Sequence, residues 1–146
     1  HEMLQASLSQ IDKNKPRYLM GVGSPIDLLQ AIEEGIDIFD SAMPTRNARH
    51  NELLTSRGKI AIDKKEYHDD KNAVDKECGC FACKKYSRAY LHHLAKCGEE
   101  SGARLNSHHN IHFIQNLMKN SRLAIIKGKF SEFKKQFIKK YKNETK

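Results

Sequence analysis

Apolar residues fall along the chain in two rhythms, and the pattern changes near residue 50. Met3, Leu4, Leu8 and Ile11 recur at helical spacing and predict a short amphipathic helix over residues 2–11, with Pro16 closing the turn after it. Residues 17–22, RYLMGV, form a nearly continuous apolar run, which suits a strand buried on both faces of a parallel sheet. Ser24 and Pro25 then supply an N-cap and an N1 proline, with Asp27 in the electropositive first turn. Leu28, Leu29 and Ile32 form the buried stripe of that helix, and Gly35 follows where a left-handed residue ends it. Residues 36–39, IDIF, make the next short strand, ending at Asp40. Strand, helix and strand within about 24 residues predict a right-handed βαβ unit. The loops at the carboxyl ends of such strands carry the chemistry. Gly21-Val22-Gly23 and Asp40 both fall there, although a tight turn alone also accounts for the glycines.

Beyond Arg49, residues 52–68 alternate imperfectly around Arg57-Gly58, the pattern of a hairpin. Residues 69–77 are charged and read as loop. A helix is predicted over 84–96, with Tyr86, Ala89, Tyr90, His93 and Leu94 along one side. After a loop over 97–107, a second helix spans 110–126 through Ile111, Ile114, Leu117, Met118, Ala124 and Ile125. A third spans 130–141 through Phe130, Phe133, Phe137, Ile138 and Tyr141.

The 146 residues suffice for one modest domain and are too few for a closed eight-stranded α/β barrel, which takes about 250. The formal net charge is +8, and a basic protein attracts polyanions, either nucleic acid or an acidic membrane surface. The charge is concentrated. Residues 110–146 hold ten Lys or Arg against Glu132 and Glu144, which is a net +8 and leaves the rest of the chain neutral. A solvated helix face explains the same lysines. No apolar run of 18 or more residues and no secretory leader is visible, so a membrane span is not expected and a cytoplasmic location is. The chain opens on His1 and runs straight into helix-like sequence, as a segment of something longer would.

Four cysteines change the picture: Cys78, Cys80, Cys83 and Cys97. Three lie within six residues, unlike the dispersed cysteines of a disulfide framework. Cys78-Gly-Cys80-x-x-Cys83 puts three soft ligands on one tight loop, suited to zinc or iron–sulfur chemistry. A closed tetrahedral site needs a fourth ligand, drawn from Cys97, His92, His93, His108, His109 and His112. Cys97 would stand about 20 Å from Cys83 along the predicted helix, and His92 and His93 are also far along it. A returning helix would bring its own start back to the cysteines. Spacing does not choose between His108 and His109 there. Cys3His is a common structural zinc set with no open position for water.

Three blocks, RYLMGVGSP at 17–25, GIDIFDSAMPTRNAR at 35–49 and CGCFACKKYSRAYLHHL at 78–94, followed by GARLNSHHN at 102–110, resemble the carboxyl-terminal part of the bacterial tRNA-guanine transglycosylases, the queuine tRNA-ribosyltransferase family. The resemblance implies an α/β fold, the carboxyl-terminal portion of a (β/α)8 TIM barrel with a zinc-binding subdomain. Residues 1–50 would then be the last βαβ portion of the barrel, 51–110 the zinc-binding subdomain and 111–146 the carboxyl-terminal basic helices. The implied activity exchanges guanine at the anticodon wobble position of tRNA for 7-aminomethyl-7-deazaguanine, in queuosine biosynthesis. The resemblance puts the nucleophile on Asp40 and the base-pocket lining on Met20 and Gly21. It puts tRNA contacts on Arg46 and Arg49, and ligands of a structural Zn2+ on Cys78, Cys80, Cys83 and His109; Cys97 matches no ligand. The implied partners are a tRNA with a wobble guanine, the 7-deazaguanine base and a second copy in a homodimer.

The departures also carry expectations. The family's amino-terminal barrel half, its acid/base aspartate and its GGLAVGE-type loop have no counterpart in these residues, so the isolated chain is expected to be inactive. A second class of function stands beside the enzyme: a zinc-stabilised tRNA-binding or dimerisation module without activity of its own, its basic helices tracking the RNA backbone.

Overall fold

A computed structural model of the chain describes residues 2–12 and 14–141; the side chain of Met3 and residues 142–146, included in the predicted first and last segments, lie outside the described set. The chain divides into two compact units, residues 1–43 and 44–146.

In the first unit, helix α1 (Glu2–Leu8) stops short of Ile11, which is exposed. Strand β1 (Tyr18–Leu19) pairs in parallel with β2 (Ile38–Phe39), in register Tyr18↔Ile38 and Leu19↔Phe39. Between them runs α2 (Pro25–Glu33), with Pro25 in the first turn, Asp27 beside it and Leu28 and Leu29 buried. The strand–helix–strand reading of the sequence is therefore observed. At the end of α2, Gly35 takes φ 93°. Its N–H donates to the Ile32 carbonyl while the Ile36 N–H reaches back to Ala31, both at 3.0 Å, a complete Schellman closure. The Ser24 side chain makes no capping bond. Leu8, Ala31 and Ile36 form the core here, with Leu4, Leu19 and Phe39 packed on it.

The expectation that the first strand is buried on both faces fails. Tyr18 is 53% exposed and Met20 73%. A parallel strand is buried on both sides only where helices and further strands flank it. Two paired two-residue strands leave alternate side chains outward among the described residues.

The second unit takes in nearly all of α3 (Met43–Arg49) and continues with a hairpin, β3 (Glu52–Thr55) and β4 (Gly58–Ala61), around a Ser56-Arg57 turn. A single 3-10 turn follows at Lys65–Tyr67. The helix predicted over 84–96 is two helices, α4 (Phe81–Lys85) and α5 (Arg88–Lys96). They are broken at Tyr86 and Ser87, and the Ser87 hydroxyl caps α5 by accepting from the Tyr90 N–H at 3.2 Å. The buried side of α5 is Leu91, His92 and Leu94, whereas Tyr90 and His93 are exposed. Helix α6 runs from Glu100 to Ile126, ten residues longer at its start than the periodicity predicted, and α7 spans Phe130–Tyr141 as predicted. Residues 100–107, read from the sequence as part of a loop, belong to this helix. Gly102 is a packing residue, since a Cβ there would come 2.9 Å from that of Leu94, and its absence lets α5 and α6 close on each other. The core joins Leu53, Ile60, Ile62 and Val74 to Leu91 and Leu94. Among the described residues, no helix is long and apolar enough to cross a membrane.

Candidate metal centre and active-site loop

Cys80 caps α4, its sulfur accepting from the Cys83 N–H at 3.4 Å. Cys78 stands just before this cap and Cys83 within the first turn, so the loop into α4 and the helix's first turn present all three sulfurs. Helix α6 crosses α4 and delivers His109, fully buried, from its middle and not from its start. The ligand atoms of Cys78, Cys80, Cys83 and His109 all lie within 4.8 Å of one another. His109 Nδ1 is 3.7 Å from the Cys78 sulfur, 3.4 Å from Cys80 and 3.3 Å from Cys83. With Zn–S near 2.3 Å and Zn–N near 2.0 Å, tetrahedral geometry separates a sulfur and a nitrogen ligand by about 3.5 Å, so the group fits an ion of zinc's size.

The imidazole is set up for that role. His109 Nε2 lies 2.7 Å from the Leu54 carbonyl oxygen. A carbonyl only accepts, so Nε2 carries a proton, and Nδ1 faces the sulfurs, sharing a second proton with them until an ion takes its place. Burial opposes charge on this ring, but hydrogen bonds to Cys78 and Cys80 outweigh it and push its pKa up to about 10. Contacts with Cys78 and Cys83 drive the Cys80 thiol far below its ordinary value, while those with Cys78 and Cys80 drive Cys83 above it. Three sulfurs this close share protons unevenly and concentrate anionic charge where a cation would neutralise it.

Two polar residues that sequence reasoning missed hold this site together. Asn110, fully buried, accepts from the Leu54 N–H at 2.9 Å and donates to the carbonyls of Pro44 and Glu52 at 3.0 Å each. Asp75, 6% exposed, accepts from the Ser56 N–H, the Ser56 hydroxyl and the Glu77 N–H at 2.7, 3.0 and 3.0 Å, and its carbonyl accepts from the Cys78 N–H at 3.1 Å. Asn110 thus ties the hairpin to the ligand helix, and Asp75 ties the hairpin turn to the cysteine loop. The only sequence signal for Asn110 was its place beside His109.

The other candidate ligands are occupied elsewhere or stand apart. His92 is buried with Nδ1 2.9 Å from the Ile62 carbonyl. Cys97 is exposed and lies 3.8 Å from His93. His108 stands edge-on to Phe81. His112, however, approaches Cys78, with Nδ1 3.6 Å from the sulfur.

In the first unit, Asp40 follows β2 and is exposed. Its Oδ1 accepts from the Tyr18 hydroxyl at 2.6 Å and from the Gly21 N–H at 3.3 Å. The Tyr18 bond first, and the Gly21 bond after it, hold the carboxyl below its ordinary pKa of 3.8, and the same pairing raises Tyr18. The parallel pairing of β1 and β2 brings these groups together, because Tyr18 lies on β1 and Asp40 one residue beyond β2. Gly23 is fixed by close approach: a Cβ would fall 2.4 Å from the Ser41 hydroxyl. Met20 and Gly21 form the turn after β1, Gly21 with φ 74°. In the second unit, Arg46 and Arg49 lie three residues apart near the end of α3, both exposed and on one side of the helix.

Comparison with known proteins gives the family. The family model described as queuine tRNA-ribosyltransferase matches residues 1–143. A queuine tRNA-ribosyltransferase of Francisella tularensis subsp. tularensis (strain WY96-3418) is 49% identical over 140 residues, 96% of this chain. Its counterpart in F. tularensis subsp. novicida (strain U112) is 48% identical over the same length. The chain spans 38% of the length of these curated relatives. The chain belongs to the queuine tRNA-ribosyltransferase family.

Proposed function

We propose that this chain furnishes the nucleophile-bearing, zinc-stabilised part of an enzyme that exchanges guanine at the wobble position of tRNA for 7-aminomethyl-7-deazaguanine. The observation that carries the reading is the Asp40 carboxylate, kept ionised beside a strand end by Tyr18 and the Gly21 N–H. A carboxylate suits base exchange because it forms a bond to ribose C1′ as the bond to guanine breaks, giving a covalent glycosyl–enzyme ester. The incoming base then attacks C1′ and releases the carboxylate, so the phosphodiester backbone stays intact and no nucleotide cofactor is consumed. Met20, outward on the turn after β1, and Gly21 are assigned to the base pocket. Arg46 and Arg49 are assigned to the anticodon loop, where planar guanidinium groups suit phosphates and base edges.

In this reading residues 1–50 are the last βαβ portion of a (β/α)8 barrel, supported by the parallel β1–β2 pair joined through α2. Residues 51–110 are the zinc subdomain and 111–146 the basic carboxyl-terminal helices. The metal is Zn2+ and its role structural: four protein ligands leave no position for substrate or water, and the bound ion would fasten α4 to α6. The partners are tRNA and a second copy in a homodimer, in the cytoplasm. A module that binds tRNA or dimerises without chemistry is the second reading.

The test is incorporation of labelled guanine into cognate tRNA by a full-length enzyme containing this segment. Asp40→Asn is expected to abolish exchange and the covalent tRNA adduct while leaving tRNA binding largely intact, because the amide keeps the shape and loses the nucleophile. Normal exchange by the variant would remove Asp40 from the mechanism. The 146-residue chain alone is expected to show no exchange; turnover by it would show that the remainder of the enzyme is dispensable.

A further inference from the structure

Five metal-grade donors stand where a tetrahedral ion takes four. Cys78 is the shared member. Its sulfur lies 3.7 Å from His109 Nδ1 and 3.6 Å from His112 Nδ1, and both separations match the roughly 3.5 Å that one tetrahedral ion imposes on a sulfur and a nitrogen ligand. The two imidazoles differ in setting. His109 is fully buried and locked by the Leu54 carbonyl. His112, one turn along the same helix, is half-buried and lines an open cavity of about 370 Å³.

That cavity is walled by Phe113 and Leu117 of α6 and by Phe133 and Phe137 of α7. Of the four residues in the metal-capable group, only Cys78 lines it; Cys80 and His109 are buried. Among the described residues, the charged ones on its wall are Asp75, Glu77 and Lys140. Asp75 is engaged by Ser56 and Glu77, and Glu77 is paired with Lys140. An ion arriving through the cavity therefore meets one sulfur and one imidazole before any other cluster ligand.

We infer that Cys78 and His112 form a loading site, which takes a divalent ion such as zinc from water and hands it to the buried Cys3His group. The inference rests on the reading of that group as a zinc site. In the first step the hydrated ion exchanges two waters for the Cys78 sulfur, whose proton leaves to solvent, and for His112 Nδ1. In the second, Cys80, Cys83 and His109 Nδ1 replace the remaining waters and then His112, and the two protons held among Cys80, Cys83 and His109 leave through the cavity. Cys78 stays bound throughout, so the ion moves only from one side of its sulfur to the other. The net exchange is one hydrated ion for three protons and the released waters.

Cobalt(II) reports each step, because every thiolate that joins adds sulfur-to-metal charge-transfer absorption. Stopped-flow mixing of cobalt(II) with the metal-free, reduced chain is expected to show two phases, a fast one of weak absorption and a slow rise to the three-thiolate spectrum. His112→Phe, which removes the ligand and keeps an apolar cavity wall, is expected to lose the fast phase and load several-fold more slowly. It should end at the same spectrum and at one metal per chain. His112→Gln, which keeps a polar side chain, is expected to behave likewise and guards against a folding defect in the first variant. Variants that keep both phases at the parent rate would overturn the loading site. So would variants ending with less than one metal or an altered final spectrum, because His112 would then be a resident ligand. A parent chain that takes up neither cobalt nor zinc would instead remove the metal centre itself.

Discussion

His109 Nε2 donates to the Leu54 carbonyl oxygen at 2.7 Å, and the next residue, Asn110, accepts from the Leu54 N–H at 2.9 Å. Adjacent residues of α6 thus grip both backbone polar groups of one hairpin residue. The grip fixes the tautomer and direction of the imidazole and makes the hairpin part of the support of the metal centre.

Asn110→Ala tests that support. It would leave the Leu54 N–H and the carbonyls of Pro44 and Glu52 without their partner in a site closed to water. The expected loss is about 3 kcal/mol of stability, read as a lower midpoint in denaturant, with weaker zinc retention against a chelator. A variant within about 0.5 kcal/mol of the parent would mean the hairpin is held by its apolar core alone.

Tyr18 sets the charge state of Asp40. The folded-state pKa of Asp40 is depressed, so its contribution to stability is present above the unfolded value and is lost as pH falls through the depressed one. Carboxyl-carbon NMR titration should place the midpoint below the ordinary 3.8 in the parent chain. Tyr18→Phe removes the 2.6 Å hydrogen bond and should raise that midpoint, since the largest of the contacts that lower it is lost. A midpoint unmoved by the substitution would show that the phenol does not hold the carboxylate.

Arg46 and Arg49 should reveal themselves through salt. If each neutralises an RNA phosphate, replacing one by Ala should lower the slope of log affinity for tRNA against log salt by about 0.7 to 0.9. Filter binding from low to moderate ionic strength measures it in a full-length enzyme. Equal slopes in parent and variants would leave the two arginines as solvated surface on α3.

Much of this was legible in the sequence, for identifiable reasons. The Pro25 start and Gly35 end of α2 follow from local rules about φ, which need no tertiary information. The Cys78, Cys80 and Cys83 constellation was legible because soft ligands at that spacing have few other uses. The course of α6 was not. The contact of Gly102 with Leu94 shows only where α5 and α6 meet. The apolar stripe was misplaced because α6 carries apolar residues on both faces. Phe113, Leu117 and Ala124 are buried, yet Ile111, Leu123, Ile125 and Ile126 are exposed. Hydrophobic spacing cannot tell which face meets the core when both are apolar. Asp75 and Asn110 escaped notice because a polar residue declares itself structural only once its buried partners are seen.

The central claim is that three thiolates and one imidazole of this chain enclose a single zinc ion, and zinc-edge X-ray absorption of the purified, zinc-loaded chain tests it most directly. The account predicts one zinc per chain with three sulfur neighbours at about 2.3 Å and one nitrogen at about 2.0 Å. A shell of four sulfurs, which would recruit Cys97, or one in which oxygen and nitrogen outnumber sulfur would contradict it.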